Sequence, residues 1–293
     1  MNKQDFLYKL GVYADLTESS LKALVPNDNS SMVAEAMRYS LLGGGKRIRA
    51  ALVMAAAELC GGSDIEASYS ASAIEMLHCY SLIHDDLPCM DNDDMRRGKP
   101  SCHKKFGEAT ALLAGDGLLT LSFNTLSKIL NAEHSRKCTL ILSEAAGYLG
   151  MIYGQELDLS AEANPVSAEE LFKIHENKTG ALIKASVRMG AVLGDLDQDG
   201  MKALDDYAEK IGLVFQIVDD ILDCTSTTDE LGKPVGSDSE NNKTTYVSLF
   251  GIEKSKELAK KYNEEAIDAV KKRFGDKGDF LISLANNLLI RSK

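Results

Sequence analysis

Proline restricts this chain more than any other residue. Only five occur, Pro26, Pro88, Pro100, Pro165 and Pro234, and a proline inside a helix removes a backbone donor and clashes with the preceding turn. The runs between Pro100 and Pro165 and between Pro165 and Pro234 are therefore open to long helices. Apolar spacing fits: Leu204, Ala208, Ile211, Phe215 and Val218 recur at three and four residues, as do Met32, Ala36, Met37 and Leu41. No strand-like alternation of any length competes, so the expected fold class is all-α. Breaks are predicted at 43–45, 60–64, 161–170 and 194–200. Ser167 followed by Glu170 reads as a capping box opening the next helix.

Charge narrows the function. A formal net charge of -11 argues against a nucleic-acid partner, whose binding rests on clustered Lys and Arg. Charges interrupt the apolar residues of the first helix-length stretch, which is neither a signal-peptide core nor a membrane span. A cytosolic protein without stable membrane insertion is expected. Cys60, Cys79, Cys89, Cys102, Cys138 and Cys224 form no CxxC pair and read as reduced, buried thiols. The polar motifs run from Lys46 to Lys243 without a low-complexity linker, which implies one folded unit over residues 1–293.

Two acidic clusters stand out. The stretch from Asp85 to Asp94 carries five carboxylates in ten residues and is followed by Arg96 and Arg97. Asp85 and Asp91 would lie on different faces of an unbroken helix, and Pro88 ends or kinks it between them. The second cluster closes an apolar helix: Gln216 precedes Asp219 and Asp220 by one turn, and Asp223 follows by another. Mg²⁺ prefers oxygen ligands and typically takes one or two carboxylates plus substrate phosphates. A lone acidic cluster is most often a solvated loop, but two of them, each abutting an apolar helix, point to metal.

Cations complete the pattern. Lys46 and Arg49 follow the glycines Gly43, Gly44 and Gly45, on one face of a helix opened by them. Lys178, Thr179 and Gly180 interrupt a helical run, and Lys233 and Lys243 follow the second acidic cluster. Any one of these alone reads equally well as a surface ion pair. Carboxylates for metal and cations for phosphate together specify a diphosphate substrate.

These motifs, GGGKRIR, HDDLPCMDNDDMRRGKP, LAGD, GQELDL, KTG, FQIVDDILD, LGKPVGSD and NKTTY, resemble in identity and order those of the bacterial-type farnesyl diphosphate synthases in the trans-isoprenyl diphosphate synthase family. The resemblance implies a bundle of about ten or more helices around a deep central cavity, usually homodimeric. It implies Mg²⁺, about three ions per site, bound by Asp85, Asp91 and Asp219, with Asp86, Asp220 and Asp223 binding or orienting metal through water. Isopentenyl diphosphate would be held by Lys46, Arg49, His78 and Arg97. Arg96, Lys178, Lys233 and Lys243 would hold the allylic diphosphate, and Lys178, Thr179 and Gln216 would steady the cation formed as it ionises.

The same resemblance sets product length at the helix before Asp85, where Tyr80 and Ser81 and the Pro88-Cys89 insertion match synthases that stop at fifteen carbons, farnesyl diphosphate. Geranylgeranyl (C20) and geranyl (C10) diphosphate are the alternatives. His84 reads as local packing and Arg47 as a contact within the protein. An HD-type phosphohydrolase would use His84 and Asp85 but has no need of the second acidic cluster. A terpene cyclase needs no second diphosphate site at Lys46, Arg49 and Arg97. A non-catalytic subunit could dispense with Asp85, Asp91 and Asp219. The C-terminal Arg291–Lys293 is expected either to close over the site or to fray.

Overall fold

A computed structural model describes residues 1–161, 165–225 and 243–290. The chain runs through α1 (Lys3–Leu24), α2 (Met32–Leu41), α3 (Ile48–Leu59), α4 (Asp64–Asp85), α5 (Cys102–Phe106), α6 (Glu108–Leu126), α7 (Ala132–Ala146), α8 (Met151–Ala161) and α9 (Ala168–His175). A π-helical turn, Glu176–Gly180, leads into α10 (Ala181–Ala191) and α11 (Gln198–Thr225). The chain continues through α12 (Tyr246–Phe250), α13 (Ile252–Phe274) and α14 (Asp279–Ile290). The all-α expectation holds.

Side-chain caps fix several helix starts. Asn2 accepts from the Asp5 amide and Ser31 from the Ala34 amide, each satisfying a donor that the first turn leaves without a partner. The capping box read from the sequence is present, with Ser167 and Glu170 bonded reciprocally. The predicted break at 43–45 falls between helices, and those at 60–64 and 194–200 run into the first residues of α4 and α11, at Asp64 and at Gln198–Gly200. Residues 162–164 of the remaining one lie outside the described residues.

Helices α3 and α4 form the centre. In α3 every residue from Ala50 to Ala57 is buried, and α4 buries Ala71, Ile74, Met76, Leu77 and Tyr80 around its axis. A helix apolar on all sides belongs in an interior. Helix α10 packs on α3, α6 on α4, and α13 along α11. Helix α11 is amphipathic as its spacing predicts: Leu204, Ala208, Ile211 and Val218 are buried and Phe215 is partly buried. Each full burial of such an aliphatic side chain contributes about 1.5–3 kcal/mol. Buried apolar residues from Phe6 to Leu288 form one contiguous cluster.

Four local expectations are corrected. Met32 starts its helix but is exposed, leaving Ala36, Met37 and Leu41 to face the core. Among the described residues there is one β element, an antiparallel ribbon pairing Met95 with Pro100 and Arg96 with Lys99. Its turn places Arg97 and Gly98 both at positive φ, the geometry of a two-residue hairpin that follows strand twist. Cys89 and Cys224 are exposed, whereas the other four thiols are buried. Lys46 does not share a helix with Arg49, because Arg47 takes a left-handed conformation and α3 begins only at Ile48. Among the described residues no helix is long and apolar enough to cross a membrane.

Candidate active site

Helix α4 delivers the first acidic set. It ends at Asp85, and the chain turns through Pro88 so that the Asp91 amide donates to the Asp85 carbonyl at 2.9 Å. The turn thus returns Asp91 to the helix end that Asp85 occupies. Asp85 lines a cavity of about 730 Å³ together with Arg49, His78, Tyr80, Lys178 and Thr179. Asp86 is buried and its carboxylate is gripped by Arg96, which also reaches Asp93 at 3.1 Å.

Helix α11 delivers the second set. Gln216, Asp219 and Asp220 border a chamber of about 200 Å³ with Asp158, His175, Lys178 and Lys243. Lys178 lines both spaces. The Thr179 hydroxyl donates to Gln216 Oε1, and Gln216 Nε2 donates to Asp220 Oδ1, both at 3.2 Å. The Tyr246 amide donates to Asp220 Oδ2 at 2.8 Å. Asp223 lies one turn further along α11 and is buried.

The π turn presents Lys178 and Thr179, where the sequence suggested only an interruption. Such one-turn insertions in helices frequently sit at functional sites. Gly154 of α8 makes room for it: a Cβ there would stand 2.1 Å from the Lys178 amide nitrogen. On the other side, a Cβ at Gly212 of α11 would stand 3.1 Å from the Gly180 Cα. Two helices thus close on the turn with nothing but backbone between.

A basic corner faces Asp85 across the larger cavity. Arg97 donates to the Gly44 carbonyl, so the glycine segment wraps its guanidinium. Arg49 and His78 lie side by side in the cavity wall. Burial holds the Arg49 guanidinium below its ordinary pKa, with Arg97 adding to the effect and Glu75 and Asp219 opposing it. Asp219 of the second acidic set is therefore within electrostatic reach of the basic corner. Burial, then Arg49 and Arg97, push the His78 imidazole well below its usual range, so it is neutral near pH 7. Arg47 turns inward instead, donating to Glu18 at 2.7 Å, Glu75 at 3.0 Å and the Leu41 carbonyl at 2.6 Å, as expected of a contact within the protein.

The carboxylates fit a divalent ion completed by its substrate. Burial pushes the Asp85 carboxyl up to about 6; Lys178 and Arg96 oppose this while Asp91 and Asp86 add to it. A buried carboxylate among others favours a nearby cation. Among the described residues no three His, Cys, Asp or Glu side chains form a ready-made ligand group.

Tyr80 and Ser81 border the larger cavity. Tyr80 is buried, its ring edge-on to His84 at 5.6 Å, and burial followed by the Asp85 charge raises its hydroxyl to about 12. Ser81 donates to the His78 carbonyl at 2.9 Å, and His84 Nε2 lies 3.0 Å from the Leu112 carbonyl, a packing role as expected. Lys233 and Arg291–Lys293 lie outside the described residues. Sequence reading missed Asp158, which sits 2.6 Å from Lys178 Nζ and 3.7 Å from Lys243 Nζ. Burial raises its carboxyl, but Lys178 and Lys243 outweigh that and hold it below its ordinary value. The available signal was the four-residue spacing of Gly154 and Asp158 within GQELD, which places both on one helix face.

Comparison with known proteins gives one answer. The profile of the family described as Polyprenyl synthetase matches residues 30–280. A heterodimeric geranylgeranyl pyrophosphate synthase large subunit 1, chloroplastic, from Arabidopsis thaliana is 45% identical over 295 residues, 98% of this chain and 80% of that protein. A geranyltransferase from Legionella pneumophila superposes with a TM-score of 0.88 at 39% identity, over 99% of this chain and 98% of the other. An FPP/GFPP synthase from Zymomonas mobilis gives 0.85 at 35%, over 97% and 99%.

Proposed function

We infer the reaction from one premise: the chain belongs to the polyprenyl synthetase family. It is a prenyltransferase, and we propose that it joins isopentenyl diphosphate to an allylic diphosphate. The observation that carries this is Lys178, which borders both the cavity of Asp85 and the chamber of Asp219, so carboxylates and cations from both motifs line two spaces that share this lysine.

In this reading Asp85, Asp91 and Asp219 would hold Mg²⁺, with Asp86, Asp220 and Asp223 behind them, and bound ions would supply Lewis-acid stabilisation of the departing diphosphate. Arg96, Lys178, Lys243 and Lys233 grip the allylic diphosphate as its C–O bond breaks. The dipoles of Thr179, Gln216 and the Lys178 carbonyl face the resulting allylic cation. Lys46, Arg49, His78 and Arg97 hold isopentenyl diphosphate so that its double bond meets that cation. A C–C bond forms, and the released diphosphate takes the proton that restores the double bond.

Two product lengths each have an observation behind them. The Arabidopsis relative is named a geranylgeranyl pyrophosphate synthase, which puts twenty carbons ahead of the fifteen expected from the sequence. The buried Tyr80 beside Asp85 favours fifteen by blocking the path along α4. A single domain, a homodimer and a cytosolic location complete the proposal, with a plastid supported equally by the chloroplastic label of that relative. The test is purified protein with Mg²⁺, isopentenyl diphosphate and each allylic starter in turn. Prenyl diphosphate formation that stops with chelator is expected; phosphate release from nucleotides without isopentenyl diphosphate would favour a hydrolase.

A further inference from the structure

The sequence motifs leave Asp158 without a task, yet it lines the smaller chamber beside two lysines. Its carboxylate is 2.6 Å from Lys178 Nζ and 3.7 Å from Lys243 Nζ. The three side chains retain only 19%, 26% and 22% of their exposure. An ion pair at a surface contributes little to stability, and burying one costs desolvation that Coulomb attraction often fails to repay. Stability is thus a poor reason to gather three charges here.

The helix that carries Asp158 also shapes the turn that carries Lys178. Gly154 admits the backbone at Lys178, and Asp158, one turn later on α8, takes the ammonium of the same residue. One helix face therefore fixes both ends of Lys178. Among the described residues the remaining carboxylates of the chamber are Asp219 and Asp220. Lysines swinging onto those would compete with whatever cation the aspartates bind.

We propose that Asp158 is a positioning residue for the allylic diphosphate: its carboxylate draws Lys178 and Lys243 together and keeps both off Asp219 and Asp220, so that the two ammonium groups converge on one diphosphate. This rests on the diphosphate reading given above. A lysine ammonium has three donors, so each can keep Asp158 and still bind an anion. Without Asp158, two like charges in a small chamber push apart and no longer converge on one anion.

The test measures binding of inorganic pyrophosphate with Mg²⁺ by calorimetry, alongside Michaelis constants for geranyl and isopentenyl diphosphates and the melting temperature. For D158N and D158A, pyrophosphate binding weakens about tenfold and KM for geranyl diphosphate rises as much. KM for isopentenyl diphosphate stays within about twofold, and D158E recovers part of the loss. If D158A does not fold, the nearly isosteric D158N carries the comparison. Pyrophosphate binding in D158N equal to that of the natural chain overturns the role of Asp158 alone, as does an equal rise in both Michaelis constants. A natural chain that binds no pyrophosphate overturns the diphosphate reading and this role with it.

Discussion

His78 Nε2 lies 3.3 Å from a terminal guanidinium nitrogen of Arg49, and because a guanidinium can only donate, that ring nitrogen accepts. The imidazole is thereby fixed as a neutral ring protonated on Nδ1, in keeping with its lowered pKa. Its second nitrogen is free to donate to a ligand, and Arg49 is aimed by it. His78→Phe is expected to raise KM for isopentenyl diphosphate about tenfold with little change for the allylic substrate, and His78→Gln to recover part of it. Steady-state kinetics with each substrate varied decides; equal rises in both constants would refute the assignment.

Arg47 sits two residues from Arg49 and behaves differently. Its buried guanidinium neutralises Glu75, itself buried, and removing one partner leaves an unpaired interior charge. Arg47→Met is expected to cost about 3–5 kcal/mol of stability while the folded fraction keeps its KM for isopentenyl diphosphate. Urea unfolding followed by circular dichroism checks this, and an unshifted midpoint would sink it.

Tyr80 supplies the steric argument for product length. Tyr80→Ala removes a buried ring from the cavity wall beside Asp85 and is expected to shift products toward longer chains. Chromatography of dephosphorylated products reads the change directly. An unaltered profile would take product length away from this position.

His175 makes stability depend on pH. Burial first, then Lys178, push its imidazole down to about 4, against opposition from Asp158, whereas in the unfolded chain it titrates near 6.5. The unfolded state therefore takes up the proton first as pH falls. The stability that the neutral ring contributes is complete above pH 6.5 and is lost between 6.5 and 4, roughly 3 kcal/mol in all. His175→Phe is expected to flatten the fall in unfolding free energy over that window. Identical slopes for the two proteins would contradict the assignment.

Much of this was legible from residue order because its causes are local. The spacing of Leu204, Ala208 and Ile211 specifies the buried face of α11, and Pro88 explains how Asp85 and Asp91 meet. The Ser167 and Glu170 pair marks a helix start that forms as read. What escaped depends on contacts distant in sequence or on backbone states without a periodic signal. A π turn adds one residue to a helix and leaves its apolar rhythm nearly intact, so only the packing of Gly154 and Gly212 exposes it. Spacing alone places Lys46 on a helix, because nothing in GGGKRIR announces the left-handed Arg47. Asp158 finds its partners 20 and 85 residues away in sequence, beyond the reach of any spacing rule. Product length stays with the relatives and with Tyr80, since a wall residue limits a chain only in the context of everything below it.

Replacing helical glycine by alanine is one of the most dependable routes to a hardier protein, worth about 1 kcal/mol at each site. That route is closed at Gly154, where any side-chain carbon would run into the Lys178 amide. A lineage moving to hotter surroundings would have to keep this weak point in α8 and seek its gains on the outer helices, such as α13, whose solvent-facing lysines and glutamates can be rearranged without disturbing the turn at the centre.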